Sequence, residues 1–368
     1  MAQQSVPADL PDPERLADAF RVYEVETDTE DGVRYYGEPA GDRETVLRAV
    51  APAFRQRGYR VRLQEQMGEH VLVATERSLG VDGVPWTNIL LAAATLLSTL
   101  FAGSRWYGLP VLRDPASLLG AWPFAAAVLG ILAVHEFGHY ALSRYHGVQA
   151  SLPYFIPLPF NAVGTLGAVI RMRDNMPSRR AMFDIGVAGP LAGLVATVGV
   201  TAVGVTLEPV RVAGSVGTQI ELGYPLLLRG VAALVGEQVT YADPTLMANP
   251  VVVGAWVGAF VTFLNLLPVG QLDGAHVARS LLGDWMRVVQ VAVPVALFGL
   301  AGYLYVFEGG QAAALWAFWG LLTVAFGRVG SPTPLDDSSV GRRRQAVAAV
   351  TLLLGLLCFV PVPVALTA

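Results

Sequence analysis

From Trp86 onward, apolar runs recur at the length a bilayer demands, about 20 residues of helix at about 1.5 Å rise each. They predict membrane spans over 86–105, 121–145, 181–206, 250–268, 288–306, 311–327 and 345–366. A further apolar stretch, 222–235, carries Arg229 and reads as an interfacial or re-entrant helix, so the count is about seven. Ahead of Trp86 the periodicity changes. Residues 1–12 are polar and contain Pro, as a flexible tail would. Residues 21–27 alternate as a strand, Thr29-Glu30-Asp31-Gly32 is a turn, and 33–36 returns as a second strand. Residues 43–57 set Val46, Leu47, Val50 and Phe54 on one helical face, and 59–64 with 70–75 form another hairpin. The chain therefore reads as an α-helical polytopic membrane protein with a small soluble α+β domain of ββαββ order at residues 13–80. A membrane core is expected over 86–330, a loop over 331–344 and an extra carboxyl-terminal transmembrane helix over 345–366.

Composition sharpens that division. The 368 residues are 54% hydrophobic and 15% charged, with a mean hydropathy of +0.49. A soluble domain has roughly 45–50% and about 25%, so a single soluble core is excluded. Residues 1–85 hold 16 acids and 10 Arg, net −6, and the remainder holds 13 acids and 15 Arg, net +2. All 25 basic residues are Arg, which fits a high-GC or salt-adapted genome, or drift in codon composition, and says nothing of activity. The single cysteine, Cys358, excludes an intramolecular disulfide and a cysteine-based metal site. The first 20 residues lack the basic start and apolar core of a signal peptide, so insertion is expected to come from the internal spans.

Arginine placement predicts orientation. With an odd number of spans, the side holding the amino-terminal domain also receives Arg77, Arg144, Arg171, Arg173, Arg179, Arg180, Arg279, Arg287, Arg328, Arg342, Arg343 and Arg344. The opposite side receives only Arg105, Arg113, Arg211 and Arg229, so the domain is expected to be cytoplasmic. The run Arg342-Arg343-Arg344 is then a topology anchor; no nucleic-acid partner is expected, and the lipid bilayer is.

The second span contains His135-Glu136-Phe137-Gly138-His139. Positions i and i+4 share a helix face, so the two imidazoles can hold one metal while Glu136 stands beside it as general base. At this chain's own frequencies, chance would supply about 0.003 such matches, few enough for the motif to count as a signal. Three ionisable groups on one turn of an apolar span also imply a function, because each is costly there unless paired. A third ligand is still needed, and His146, Asp273 and His276 are the candidates. His146 stands about 10 Å along the helix axis from His139, too far for a ligand, and reads as an interfacial residue. Asp273 is better placed, just after the fourth span is broken by Pro268 and Gly270, where non-helical backbone has to face protein or a watery cavity. A His₂Asp set with one open position is a catalytic zinc arrangement. Asn265 is a candidate for binding the substrate backbone or the developing oxyanion, or for satisfying backbone groups freed near Pro268.

HEFGH in one span and Asn265-Leu266-Leu267-Pro268-Val269-Gly270-Gln271-Leu272-Asp273-Gly274 in a later one resemble the site-2 proteases, intramembrane zinc metalloproteases. Gly164-Thr165-Leu166-Gly167 and Ala188-Gly189-Pro190-Leu191-Ala192-Gly193 are similar to that family's stretches between the two motifs. The resemblance covers about residues 86–330. It implies one Zn²⁺ per chain held by His135, His139 and Asp273, with Glu136 as base and transmembrane segments of membrane-tethered regulators as substrates. The chain departs from PDZ-bearing members, since no loop after the second span is long enough for such an insertion.

Between the motifs, residues 151–173 are apolar but broken by Pro153, Pro157, Pro159 and Gly164, so they are expected to form a hairpin against protein. A strand edge near 165–170, with Thr165 and Gly167, is a candidate for pairing with an unwound substrate. Gly189 and Gly193 read as a small-xxx-small pair for close helix packing next to the span that carries HEFGH, rather than for any direct contact. The rival readings are a membrane metal transporter, in which the same three ligands form a transit site, and a catalytically silent scaffold. The transporter reading lacks paired broken helices in matching halves.

Overall fold

The computed structural model describes residues 9–29, 32–66, 68–77, 83–172, 176–211, 219–243, 245–329, 334–336 and 338–367. Residues 1–8 of the expected tail, Glu30 and Asp31 of the expected turn, Arg173 of the expected hairpin, and 331–333 and 337 of the expected loop lie outside them.

The amino-terminal unit has strands β1 (Phe20–Thr29) and β2 (Gly32–Pro39), helix α1 (Arg43–Arg55), and strands β3 (Tyr59–Gln66) and β4 (Glu69–Glu76). The antiparallel sheet has the order β1-β2-β4-β3. Alternation puts Val33 and Tyr35 of β2, Val61 and Leu63 of β3, and Leu72 and Ala74 of β4 on the face that α1 covers with Val46, Leu47, Val50 and Phe54. Asp42 caps α1, accepting from the Thr45 amide at 2.8 Å. The expected tail is shorter than residues 1–12. Leu10 is buried in this core, Asp12 caps a 3-10 turn at Pro13–Leu16, and Asp9 accepts from the Tyr59 hydroxyl at 2.5 Å. That bond, more than burial, holds the Tyr59 phenol up to about 12. Leu10 is the apolar residue of this stretch, and its burial with Leu16 and Phe20 ties the stretch to the core, which the local polar composition conceals.

The remaining chain is mostly helical. Helices α2 (Trp86–Trp106) and α3 (Trp122–Tyr145) are followed by a hairpin of β5 (Tyr154–Leu158) and β6 (Gly164–Val169), then α4 (Arg179–Gly204). Two short antiparallel pairings come next: β7 (Val210–Arg211) with β9 (Leu246–Met247), and β8 (Gln219–Leu222) with β10 (Val364–Thr367). Helix α5 (Leu226–Val235) occupies the stretch read as interfacial or re-entrant. Helices α6 (Pro250–Asn265), α7 (Asp273–Leu282), α8 (Met286–Phe307), α9 (Ala313–Val329) and α10 (Arg342–Leu357) complete the order.

Among the described residues, four helices are long and apolar enough to cross a membrane: Trp86–Trp106, Pro115–Tyr145, Arg179–Gly204 and Met286–Phe307. Helices α6 and α9 are apolar but shorter, at 16 and 17 residues. α6 stops at Asn265 because Pro268 and Gly270 follow it, the latter at φ +60°. α10 begins with three Arg and a Gln and ends at Leu357, where Pro361 and Pro363 forbid continuation, so the helix expected to reach 366 gives way to β10.

α3, α4 and α6 form the centre, with Leu132 of α3, Leu194 of α4 and Val252, Ala255 and Ala259 of α6 in one core cluster. Two indole groups inside this apolar bundle are satisfied by backbone: Trp256 donates to Gly223 O and Trp316 to Pro361 O, each at 2.7 Å. α2 holds the hairpin in place. Asn88 donates to the carbonyls of Leu152 and Pro153, Ser98 to that of Gly164, and Trp106 to that of Ala162.

Phe54 is fully buried and meets Tyr35 edge-on at 5.5 Å. Phe54→Ala is expected to cost the amino-terminal unit about 3–5 kcal/mol. In the full chain, limited proteolysis should then cut faster within residues 13–76 than in the wild type.

Candidate active site

α3 presents His135 and His139 on one face, one turn apart, both 3% exposed. The sharp reversal after α6 returns the chain as α7 with Asp273 as its first residue. Gly274 is required there, because a Cβ would collide with the carbonyl of Leu266. The reversal carries Asp273 onto α3: its Oδ2 lies 3.1 Å from His135 Nε2, and its Oδ1 lies 3.1 Å from His139 Nε2. The two Nε2 atoms are 3.2 Å apart.

These spacings fit a metal. Four ligands placed tetrahedrally at about 2.0–2.1 Å from zinc stand roughly 3.3 Å from one another. The chemistry of the donors agrees. His139 Nδ1 lies 2.7 Å from the carbonyl of Ile185. A carbonyl only accepts, so Nδ1 carries the proton and Nε2 keeps its lone pair for a metal. His135, His139 and Asp273 form a group of donors within 4.8 Å of one another, two His and one carboxylate, borderline nitrogen and hard oxygen as zinc takes them.

Glu136 is buried at 5% exposure and accepts a backbone hydrogen bond from Ile170, just beyond β6. The general-base candidate therefore lies between the His pair and the hairpin. Asn265, the last residue of α6, brings Nδ2 to 3.4 Å from His135 Nε2, at the mouth of the same group.

Other residues singled out in the sequence lie elsewhere. His146 caps α3 and donates to Asp184 Oδ2 at 3.0 Å. His276 packs against Gly186 of α4, with Nδ1 3.1 Å from the carbonyl of Leu272. Neither joins the donor group. The Thr165 hydroxyl is spent inside the hairpin, donating to the carbonyl of Ile156 at 2.8 Å and accepting from the Gly167 amide at 3.0 Å. Thr165 is thus a brace for the hairpin rather than a side chain open to substrate. Gly167 has φ +108° and open space where a Cβ would stand.

Gly189 and Gly193 do pack α4 closely against the span that carries the histidines, and the surfaces they meet are the imidazoles themselves. A Cβ at Gly189 would overlap the His139 ring, and one at Gly193 would come within 2.9 Å of His135 Nδ1. α4 is smooth at these positions because the imidazoles lie on its backbone. The signal in the sequence was their spacing of four, equal to that of the two histidines on α3.

Apolar helices of bilayer length enclose a His₂Asp donor group with a buried carboxylate beside it, the donor set of a metal site within a membrane protein. Residues 123–305, from the start of α3 to near the end of α8, match Peptidase family M50, and the chain belongs to that family, the site-2 proteases. It is 33% identical over 247 residues to the probable zinc metalloprotease EGY1, chloroplastic, of Arabidopsis thaliana, covering 66% of this chain and 43% of that one. It is 33% identical over 246 residues to the protein of the same name from Oryza sativa subsp. japonica, covering 66% and 41%. To the probable zinc metalloprotease EGY2, chloroplastic, of Oryza sativa subsp. indica it is 28% identical over 278 residues, covering 75% and 47%. The chain spans less than half the length of these relatives. No solved structure matches it significantly. Zinc is the metal that the relatives and the donor set together indicate.

Gly189→Ala should push His139 aside and weaken zinc binding by at least about tenfold, on the scale of losses from disturbed ligand support. Gly199→Ala, on the same helix with open space around it, should leave affinity unchanged. Competition against a chelator checks both.

Proposed function

We propose that the chain is an intramembrane zinc metalloendopeptidase that hydrolyses peptide bonds in or near transmembrane segments of membrane-tethered proteins. The observation carrying this reading is the convergence of His135, His139 and Asp273, at 3.1 to 3.2 Å, from helices on two separate parts of the chain. In this reading those three hold one zinc. Bound zinc supplies Lewis acidity that activates water and polarises a peptide carbonyl.

The chain's own residues do the rest. Glu136 takes the proton from the attacking water and returns it to the leaving amine, which completes hydrolysis without a covalent enzyme intermediate. Its bond to Ile170 keeps the carboxylate on the hairpin side, where a substrate arrives. The Asn265 amide donates to the oxyanion or to the substrate backbone. An intact helix hides its amides, so the substrate unwinds and adds as a strand to the edge of β6 near Gly167. The other edge of the hairpin is unsuited to this role, because β5 is packed against α2, which also holds the two residues before it through Asn88.

The orientation proposed is the one arginine placement predicts, with about seven spans, the amino-terminal domain cytoplasmic, and α3 running inward. His139 then lies six residues from the end of α3 at Tyr145, about 9 Å deep, and water reaches the site from the cytoplasm.

Glu136→Gln, purified in detergent, should retain about one zinc per chain while cleavage of a model transmembrane substrate falls by about 10²–10⁴-fold. Asp273→Ala should lose most of its zinc. An active Glu136→Gln enzyme would overturn the assignment of the base, and a folded wild type without zinc would overturn the metal site.

A further inference from the structure

The amino-terminal sheet unit reaches the zinc helix. Arg55, the last residue of α1, donates Nη2 to the carbonyls of His146 at 2.8 Å and Gly147 at 3.1 Å, immediately past the end of α3. Arg77, just beyond β4, donates to the same Gly147 carbonyl. Arg60 of β3 donates to Gln149 at 3.1 Å, on the way to the hairpin. Guanidinium groups at a helix carboxyl end satisfy carbonyls and oppose the negative end of the dipole, so these contacts fix the end of α3 rather than merely touching it.

A second grip meets the first at His146. Its Nε2 donates to Asp184 Oδ2 at 3.0 Å, and Arg344, in the first turn of α10, holds both Asp184 oxygens at 2.7 Å through Nε and Nη2. A paired Arg–carboxylate contact of this kind is short and directional. Asp184 is followed by Ile185, whose carbonyl holds the Nδ1 proton of His139. The chain outside the membrane core thus grips α3 and α4 at the level where those two helices fix the orientation of His139.

We propose that Arg55, Arg77, Asp184 and Arg344 are positioning residues that hold His139 for zinc through one clamp centred on His146, and that the amino-terminal domain is the outer half of that clamp. The inference rests on the reading of His135, His139 and Asp273 as the zinc site. Its physical basis is leverage: His139 is seven residues from His146 on one stiff helix, and a displacement of about 1 Å at a catalytic centre can cost 10²-fold. It gives the domain a task within the site, rather than that of an appended module. Release of the domain would loosen the ligand.

The test is the rate at which zinc leaves the full-length, detergent-purified protein into excess chelator. The Arg55→Ala/Arg77→Ala pair and Asp184→Asn should each release zinc about 10- to 100-fold faster than wild type, the usual scale for groups that orient metal ligands. Their combination should exceed either alone by less than the product of the two effects, because both act through His146. Arg55→Lys/Arg77→Lys, keeping a donor at each carbonyl, should recover most of the wild-type rate. Arg48→Ala, on the outer face of α1 where Arg48 pairs with Glu44, should match wild type. A folded alanine pair that releases zinc at the wild-type rate overturns the inference while leaving the zinc site intact; a wild type that binds no zinc overturns the reading beneath it. Should Asp184→Asn not fold, the arginine pair decides the matter, since both residues lie outside the apolar bundle.

Discussion

Two imidazole nitrogens and a carboxylate brought within 3.1 to 3.2 Å of one another inside an apolar bundle bear lone pairs on facing atoms. Such a group is tolerable only when a cation or proton sits among it, and the cost of leaving it bare is several kcal/mol per charge. The rest of the membrane fold serves that group. α6 has to end early, the chain has to reverse over the seven residues 266–272, and α7 has to begin at Asp273 for the carboxylate to meet α3 at all. The reversal is non-helical backbone at depth, and it survives because it is buried against protein. Gly270 lies on the Phe326 carbonyl of α9, and Gly274 lies on that of Leu266.

α4 is the floor on which the histidines rest. Gly186, Gly189 and Gly193 lie at successive turns of one face, against His276, His139 and His135 respectively. Removing three side chains lets the α3 and α7 rings approach the α4 backbone, and it places the Ile185 carbonyl within reach of His139 Nδ1. Gly138 answers from α3, where a Cβ would stand 2.7 Å from the Ala188 carbonyl. Close helix approach in a bilayer is ordinarily a means of gaining dispersion contacts. Here the same device sets a tautomer, because a histidine whose Nδ1 proton is committed to a carbonyl offers Nε2 to a metal.

Much of this was legible along the chain and some was not, for reasons that differ residue by residue. The strands of the amino-terminal unit alternate with period two because one face of the sheet is covered by α1, and alternation is a local signal. HEFGH is local as well, since i and i+4 share a helix face whatever surrounds them. Asp273 was reachable only through the broken pattern around Pro268 and Gly270, which marks the site of a reversal without giving its direction. That Gly189 and Gly193 pack beside the helix carrying HEFGH was readable; that they meet the imidazoles themselves was hidden, because the rotation of one helix against another is decided by tertiary packing. Leu10 was lost in a polar segment for the same reason. The span count is the weakest point of a hydropathy reading, because α6 and α9 are apolar yet only 16 and 17 residues long. Length, the measure on which such a reading depends, does not separate a short span from a buried core helix.

The hairpin shows how one element is divided between two duties. β5 packs on α2, Asn88 holds the two residues ahead of it, and Ser98 and Trp106 fasten the start of β6 and the loop, so α2 fixes the hairpin from one side. At the other side, the segment after β6 supplies the Ile170 hydrogen bond to Glu136. A sheet of two strands has two edges, and with β5 packed on α2, β6 has no further strand beside it among the described residues. In water such an edge invites aggregation. In the proposed mechanism it is the template for the extended form of a substrate that must lose its helix before a carbonyl can be attacked. The cost of exposing that substrate's amides in an apolar medium, several kcal/mol for each unsatisfied group, is offset by pairing them with β6. In that proposal the edge and the candidate zinc ligands act as a pair, because donors fixed on α3 and α7 would not reach the carbonyls of a peptide that remained helical.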